Sequence, residues 1–208
     1  MDIFFSPLAC SMASRIVVYE AGAEANFILV DTKAGKTADG GDYRKINPKG
    51  LVPAIRTDEG EVLTENAAVL QYLGDRFPQS GLAPTGFDRS LLQQWLSFVG
   101  TELHSGVFHA LFSGADGAKA FAREEAVKRL SYLNDHLDGR DWLLDRFTVA
   151  DAYLTVVLNW SRATSIDFEQ WPALKDYFSR MRRRPSIARA LAEEGALFVQ
   201  QQERSKAA

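Results

Sequence analysis

The sequence predicts a small α/β domain followed by an all-helical domain, and three observations carry that prediction. Residues 1–77 alternate strand and helix signals in the order βαβαββα. Residues 78–87 gather Pro78, Ser80-Gly81 and Pro84-Thr85-Gly86, the composition of a linker. From residue 88 to 208 apolar residues recur at helical spacing alone.

Asp2–Phe5 reads as a first strand, interrupted by Pro7, which cannot donate to a sheet ladder. From Ser11 the pattern turns helical, with Met12, Ile16, Tyr19 and Glu20 at helical intervals and Gly22 as a stop. Asn26-Phe27-Ile28-Leu29-Val30 is rich in branched and aromatic residues and reads as a second strand. The polar, glycine-bearing segment from Asp31 to Asp42 reads as a loop, and Tyr43–Ile46 as a helical turn before Asn47-Pro48. Pro53 opens a third strand reaching Arg56, joined to a fourth, Glu61-Val62-Leu63, through a hairpin with Gly60 at the turn. Thr64 is placed as the cap of a helix carrying Ala68, Tyr72 and Leu73 on one side, flanked by Val69 and Phe77.

In the helical part, Asp88–Phe112 repeats Leu92, Trp95, Leu96, Val99, Leu103, Val107 and Leu111, with Gly100 and Gly106 weakening a straight helix. Ala118–Leu137 is expected to bury Phe121, Ala122, Leu130, Leu133 and Leu137 and to stop at Gly139. Thr148-Val149-Ala150-Asp151 has the capping-box pattern and opens a helix that is apolar on nearly every side, the expected centre of this domain. Trp171-Pro172 begins another helix, and Pro185-Ser186 a shorter one ending at Gly195.

Composition narrows the function classes. A net charge of -3 and a pI near 5.7 give no electrostatic case for nucleic acid or an anionic membrane. The run Arg180-Met181-Arg182-Arg183-Arg184 reads as a solvated helix end, where cations are favourable. No apolar stretch approaches the roughly 20 residues of a membrane helix. Asp2 stands where a signal peptide carries positive charge, and a single cysteine allows no internal disulfide, so a cytoplasmic protein is expected. Neither a Cys/His spacing for zinc nor a phosphate-binding glycine pattern is present.

Three stretches carry possible chemistry. Cys10 stands at the mouth of the first helix, where free N–H groups and the helix dipole favour a thiolate, although a small buried filler is the plainer alternative. Val52-Pro53 is either an ordinary strand start or a cis turn that frees the Val52 N–H and C=O to pair with an extended peptide. Thr64-Glu65-Asn66-Ala67 is either a plain capped helix or a receptor for a ligand bearing both ammonium and carboxylate.

Taken together, Ser6-Pro7-x-Ala9-Cys10-Ser11, Asn47-Pro48-Lys49-Gly50-x-Val52-Pro53-Ala54, Thr64-Glu65-Asn66-Ala67 and Thr148-Val149-Ala150-Asp151 resemble a cytosolic glutathione transferase. Cys10 with Glu65 and His104 most resembles the bacterial beta class, over about Met1 to Gly195. The resemblance implies a thioredoxin-like N-terminal domain, a helical domain contributing the electrophile site, a homodimer, and glutathione as co-substrate with no metal. It places Cys10 beside the glutathione sulfur with Ser11 as a hydroxyl donor, and Val52, before cis-Pro53, against the cysteinyl backbone. It gives Glu65 and Asn66 the γ-glutamyl end and makes His104 an active-site histidine. It sets Trp160 in the lining of the electrophile pocket; Phe108 reads as core, with the floor of that pocket as the alternative. His109 and His136 read as structural or exposed. Two departures stand out: Phe5 replaces a common tyrosine, and the family's loop lysine falls near Gly35, leaving Lys33 or Lys36 to reach the glycyl carboxylate.

The activity so implied is conjugation of glutathione to electrophiles, glutathione-disulfide exchange through Cys10, or both. A glutathione-dependent isomerase or reductive dehalogenase is the alternative on the same fold, because Cys10-Ser11-x-x-Ser14-Arg15 also resembles the isomerase-like zeta class. A non-catalytic ligand-binding or regulatory relative is the alternative from another class.

Overall fold

A computed structural model describes residues 1–112 and 115–207. Residues 113, 114 and 208, within the expected helical domain, lie outside the described residues. Contacts divide the chain into two units: Met1–Ser80 together with the last helix, and Gly81–Arg184.

In the first unit a five-stranded sheet runs in the order β3-β2-β1-β4-β5. The central strand β1 (Asp2–Phe5) pairs parallel with β2 (Asn26–Asp31), Ile3 opposite Phe27, and the crossover between them is helix α1 (Met12–Glu20). On its other side β1 pairs antiparallel with β4 (Ala54–Arg56), Ile3 opposite Ile55. Strand β5 (Val62–Thr64) completes the hairpin with β4 and leads into α2 (Asn66–Arg76). Ile3, Phe4 and Phe5 are all buried, as expected of a strand covered on both faces. Phe4, Val30, Tyr43 and Ala54 form one buried cluster, with Val52 packed against it.

The Asp31–Asp42 segment is not wholly a loop. Asp31 accepts the N–H groups of Lys33 and Ala34, which folds the chain back so that β3 (Lys36–Thr37) pairs antiparallel with β2. Thr64 ends β5 rather than capping α2; the turn into the helix is made by Glu65, at φ +71°. The inner face of α2 is Val69, Leu70 and Leu73, with Ala68 and Tyr72 only half-buried.

The last helix, α9 (Pro185–Ala207), packs on α1 and runs past Gly195, the expected stop. One interior glycine costs a helix only about 1 kcal/mol. The residue before it ties the helix to the sheet unit: Glu194 is fully buried and bonded to Arg15 of α1.

In the second unit, α3 (Phe87–Phe98) continues into a π-helical stretch, Val99–His109, and a last turn, α4 (Ala110–Phe112). Val99, Leu103, Val107 and Leu111 fall at four-residue steps and all are buried. Helix α5 (Asp116–Leu137) buries Ala122, Ala126, Leu130, Leu133 and Leu137, but Phe121 is exposed, one position off the inner stripe. Helix α6 (Val149–Asn159) is buried from Val149 to Leu158 and is the expected centre. A short turn α7 (Ser161–Thr164) and α8 (Pro172–Arg183) follow, α8 opening on its proline. Among the described residues no helix is long and apolar enough to cross a membrane, and no acidic, His or Cys cluster suits a metal.

Candidate active site

On the sheet unit the chain leaves β1 and turns tightly, Ala9 donating to the Ser6 carbonyl at 3.1 Å. Leu8, at φ +59°, is held there by a 2.8 Å hydrogen bond from its N–H to Glu194. Ser11 is fully buried and its hydroxyl accepts the Ser6 N–H at 3.2 Å, so it braces the turn. Cys10 follows, partly buried, and its thiol donates to the Val52 carbonyl at 3.3 Å. Burial pushes the Cys10 thiol up to about 12, and the charges of Glu65 and Glu194 add to it. The N–H groups of Cys10 and Ser11 at the helix mouth act in the expected, opposite direction, and burial outweighs them. At rest Cys10 is a neutral hydrogen-bond donor.

The Val52–Pro53 bond is cis. The preceding carbonyl, Leu51, accepts both the Tyr43 hydroxyl at 2.8 Å and the Asn47 amide at 2.6 Å, which fixes the backbone on the approach to Val52. Among the described residues the Val52 N–H donates to nothing.

Glu65 projects an exposed carboxylate that pairs with Lys49, whose ammonium also donates to the Thr64 hydroxyl at 3.0 Å. Asn66, in the first turn of α2, is 8% exposed, and among the described residues neither of its amide atoms has a partner. A buried amide with both ends unmade is costly. Lys33 and Lys36 are exposed, Lys36 within β3.

On the helical unit, His104 lies in the π-helical stretch. Its Nδ1 lies 2.6 Å from the Tyr153 hydroxyl of α6, and its ring meets Trp160 edge-on at 4.8 Å between centroids. Phe108 and Phe112 approach the same indole at 6.2 Å and 6.0 Å, Phe108 fully buried and Phe112 half exposed. Burial lowers the His104 pKa to about 4, with His109 adding to it, so the imidazole is neutral at pH 7. His136 is structural, bonded to the Leu143 carbonyl at 2.9 Å and packed on Trp95.

Sequence reasoning missed Lys49, Tyr153 and Glu194. Lys49 lies inside a motif already singled out, yet its pairing with Glu65 depends on the hairpin that brings the two together. Tyr153 reads as one more apolar position on the core helix. Glu194 lies on a helix that the glycine stop cut short.

The N-terminal domain pattern of glutathione S-transferases matches residues 2–75, and the C-terminal domain pattern matches residues 102–185. The chain is 38% identical over 200 residues to the glutathione S-transferase GstA of Escherichia coli O157:H7, covering 94% of this chain and 99% of that one. A sphingomonad glutathione S-transferase solved in complex with glutathione superimposes with a TM-score of 0.89 at 43% identity, covering 94% of this chain and 99% of the other. A bacterial beta class enzyme from Sphingomonas chungbukensis gives 0.89 at 39% identity, with the same coverage. The thioredoxin-like sheet domain followed by helices is the architecture of that group. Matched in both halves, in order and along most of its length, the chain belongs to the glutathione S-transferase family.

Proposed function

We propose that the protein is a glutathione transferase that joins the sulfur of glutathione to an electrophilic carbon. The observation that carries this reading is Asn66, a buried amide with both ends unpaired, at a helix N-terminus beside the exposed carboxylate of Glu65. An α-amino acid end fits that pair: its carboxylate on the Asn66 amide and the first N–H groups of α2, its ammonium on Glu65 in place of Lys49. The cysteinyl backbone then pairs with the Val52 N–H as an added strand does. This sets the sulfur beside Cys10, whose thiol already donates to the Val52 carbonyl.

Because Cys10 keeps its proton at neutral pH, its role in transfer is to donate a hydrogen bond to the glutathione thiolate. The thiolate, its proton released to solvent, attacks carbon; a leaving group departs in a displacement, or the neighbouring carbon takes a proton in an addition. In disulfide exchange Cys10, once deprotonated, attacks one sulfur of glutathione disulfide; that S–S bond breaks, one glutathione leaves as its thiolate, and with a single cysteine in the chain the other stays as a mixed disulfide with Cys10. Ser11 holds the turn that carries Cys10. Trp160 and Phe108 supply an apolar surface for the electrophile, with neutral His104 as a polar partner.

The active form in this reading is a cytoplasmic homodimer. Exposed Leu51 and Phe87 are large apolar side chains that a second copy can cover. Retention on immobilised glutathione, with conjugation of an aryl halide followed by absorbance, tests the activity. Folded protein that neither binds the resin nor conjugates any of a panel of aryl halides, enones and disulfides would overturn it.

A further inference from the structure

The added-strand pairing described above requires the Val52 N–H to face the ligand. We propose that Tyr43, with Asn47 beside it, is the positioning residue that aims this N–H; the assignment rests on the glutathione reading. The Leu51–Val52 bond is trans, so the Leu51 carbonyl and the Val52 N–H share one peptide plane and point opposite ways. Two buried side chains draw that carbonyl inward, the Tyr43 hydroxyl at 2.8 Å and the Asn47 amide at 2.6 Å, and together they occupy both lone pairs of its oxygen. Held in this way, the plane turns its N–H outward. Among the described residues that N–H has no acceptor.

Both donors are fixed from behind. The Tyr43 ring is fully buried against Phe4, at 5.6 Å between centroids, and the Tyr43 N–H donates to the Gly35 carbonyl at 2.9 Å. Asn47 Oδ1 accepts the Lys49 N–H at 3.2 Å, which leaves the amide nitrogen for Leu51. Burial pushes the Tyr43 hydroxyl up to about 12, so it remains a donor throughout the neutral range. The other side of Val52 is held as well, its carbonyl accepting the Cys10 thiol at 3.3 Å. With its hydroxyl spent on Leu51, Tyr43 acts through Val52 on ligand binding and takes no part in the chemistry at sulfur.

Tyr43→Phe removes the hydroxyl and keeps the ring that fills the core. Calorimetry of this variant with glutathione and with γ-glutamylcysteamine, which ends before the cysteinyl carbonyl, isolates the effect on Val52. Binding of glutathione should weaken about fivefold, the scale of one hydrogen bond, and binding of γ-glutamylcysteamine should not change. The KM for glutathione should rise to match, with kcat unchanged. In protein labelled with ¹⁵N-valine, the Val52 amide proton should move downfield on adding S-methylglutathione, and move less in Tyr43→Phe. If the variant weakens both ligands alike, or neither, or if the Val52 proton moves equally in both proteins, the Tyr43 assignment is overturned while glutathione binding stands. If the unmodified protein does not bind glutathione, the glutathione reading falls and the assignment with it.

Discussion

Glu194, near the end of the chain, accepts the N–H of Leu8, two residues before Cys10, at 2.8 Å. Its other oxygen takes Arg15 Nε at 2.9 Å, and the Arg15 guanidinium lies over Phe27 at 3.9 Å and Phe5 at 4.5 Å. The last helix thus fixes the turn that presents the thiol.

Glu194→Gln keeps one acceptor for Leu8 and removes the charge facing buried Arg15, which retains Glu193 at 3.2 Å. Because burial already disfavours the ionised carboxylate, the loss at pH 8 should be small, about 1 kcal/mol or less. The pH dependence gives a sharper test. Burial raises the Glu194 pKa from 4.5 to about 7, so between those values the folded state keeps a proton that the unfolded chain has released. Its contribution is full below pH 4.5 and is lost as pH rises through 7. His104, lowered from 6.5 to about 4, works oppositely: its contribution is full above pH 6.5 and is lost as pH falls through 4. The two slopes oppose each other over nearly the same window. Denaturant unfolding of Glu194→Gln should therefore show stability rising more steeply from pH 4.5 to 7 than in the unmodified protein. Parallel curves would discount the buried carboxylate.

Cys10 should alkylate slowly at neutral pH. With the thiol pushed up to about 12, the rate with iodoacetamide should climb through pH 10 without levelling. Cys10→Ala should abolish glutathione-disulfide exchange and lower aryl transfer by less than about tenfold, the scale of one hydrogen bond. A rate plateau between pH 6 and 8, or disulfide exchange that survives in Cys10→Ala, would contradict this account.

The elements that the sequence made legible are those whose signal is local. The strand at Asn26–Asp31 follows from a run of branched and aromatic residues, and the core helix from Thr148 and Asp151 three apart before a run that only Thr155 interrupts. What was hidden depends on partners distant in sequence. The pair β2/β3 is two residues long, too short for any periodicity. Glu65 at positive φ contradicts its own residue preference and reflects the strand-to-helix turn around it. The site followed the same rule: Cys10, Val52, Glu65 and Asn66 lie in short motifs, whereas the Glu194–Leu8 bond joins residues 186 apart.

His104 should remain neutral well below the ordinary imidazole range. Its ring carbon resonance should show no midpoint between pH 5.5 and 8 and should move only as pH falls toward 4. Tyr153→Phe removes the hydroxyl 2.6 Å from Nδ1 and frees the ring to turn. The conjugation rate should then fall several-fold with KM for glutathione unchanged, since Tyr153 lies outside the proposed glutathione-binding set. A raised KM at an unchanged rate would place the histidine in binding instead.

The cap of the core helix should be the most sensitive point of the second unit. Asp151 is fully buried and accepts four hydrogen bonds: the Leu143 N–H at 3.0 Å, the Thr148 N–H at 2.8 Å and hydroxyl at 3.0 Å, and the Tyr177 hydroxyl at 2.9 Å. Asp151→Ala leaves all four donors buried without an acceptor, at a cost of about 4 kcal/mol or more. Tyr177→Phe removes one donor together with its need for a partner, and should cost about 1 kcal/mol. The double variant should be less unstable than the sum of the two, because the phenylalanine leaves no orphaned hydroxyl. Urea unfolding of the three variants reads these differences directly. Strict additivity would mean that Tyr177 and Asp151 act independently and that the carboxylate is no more than a local cap.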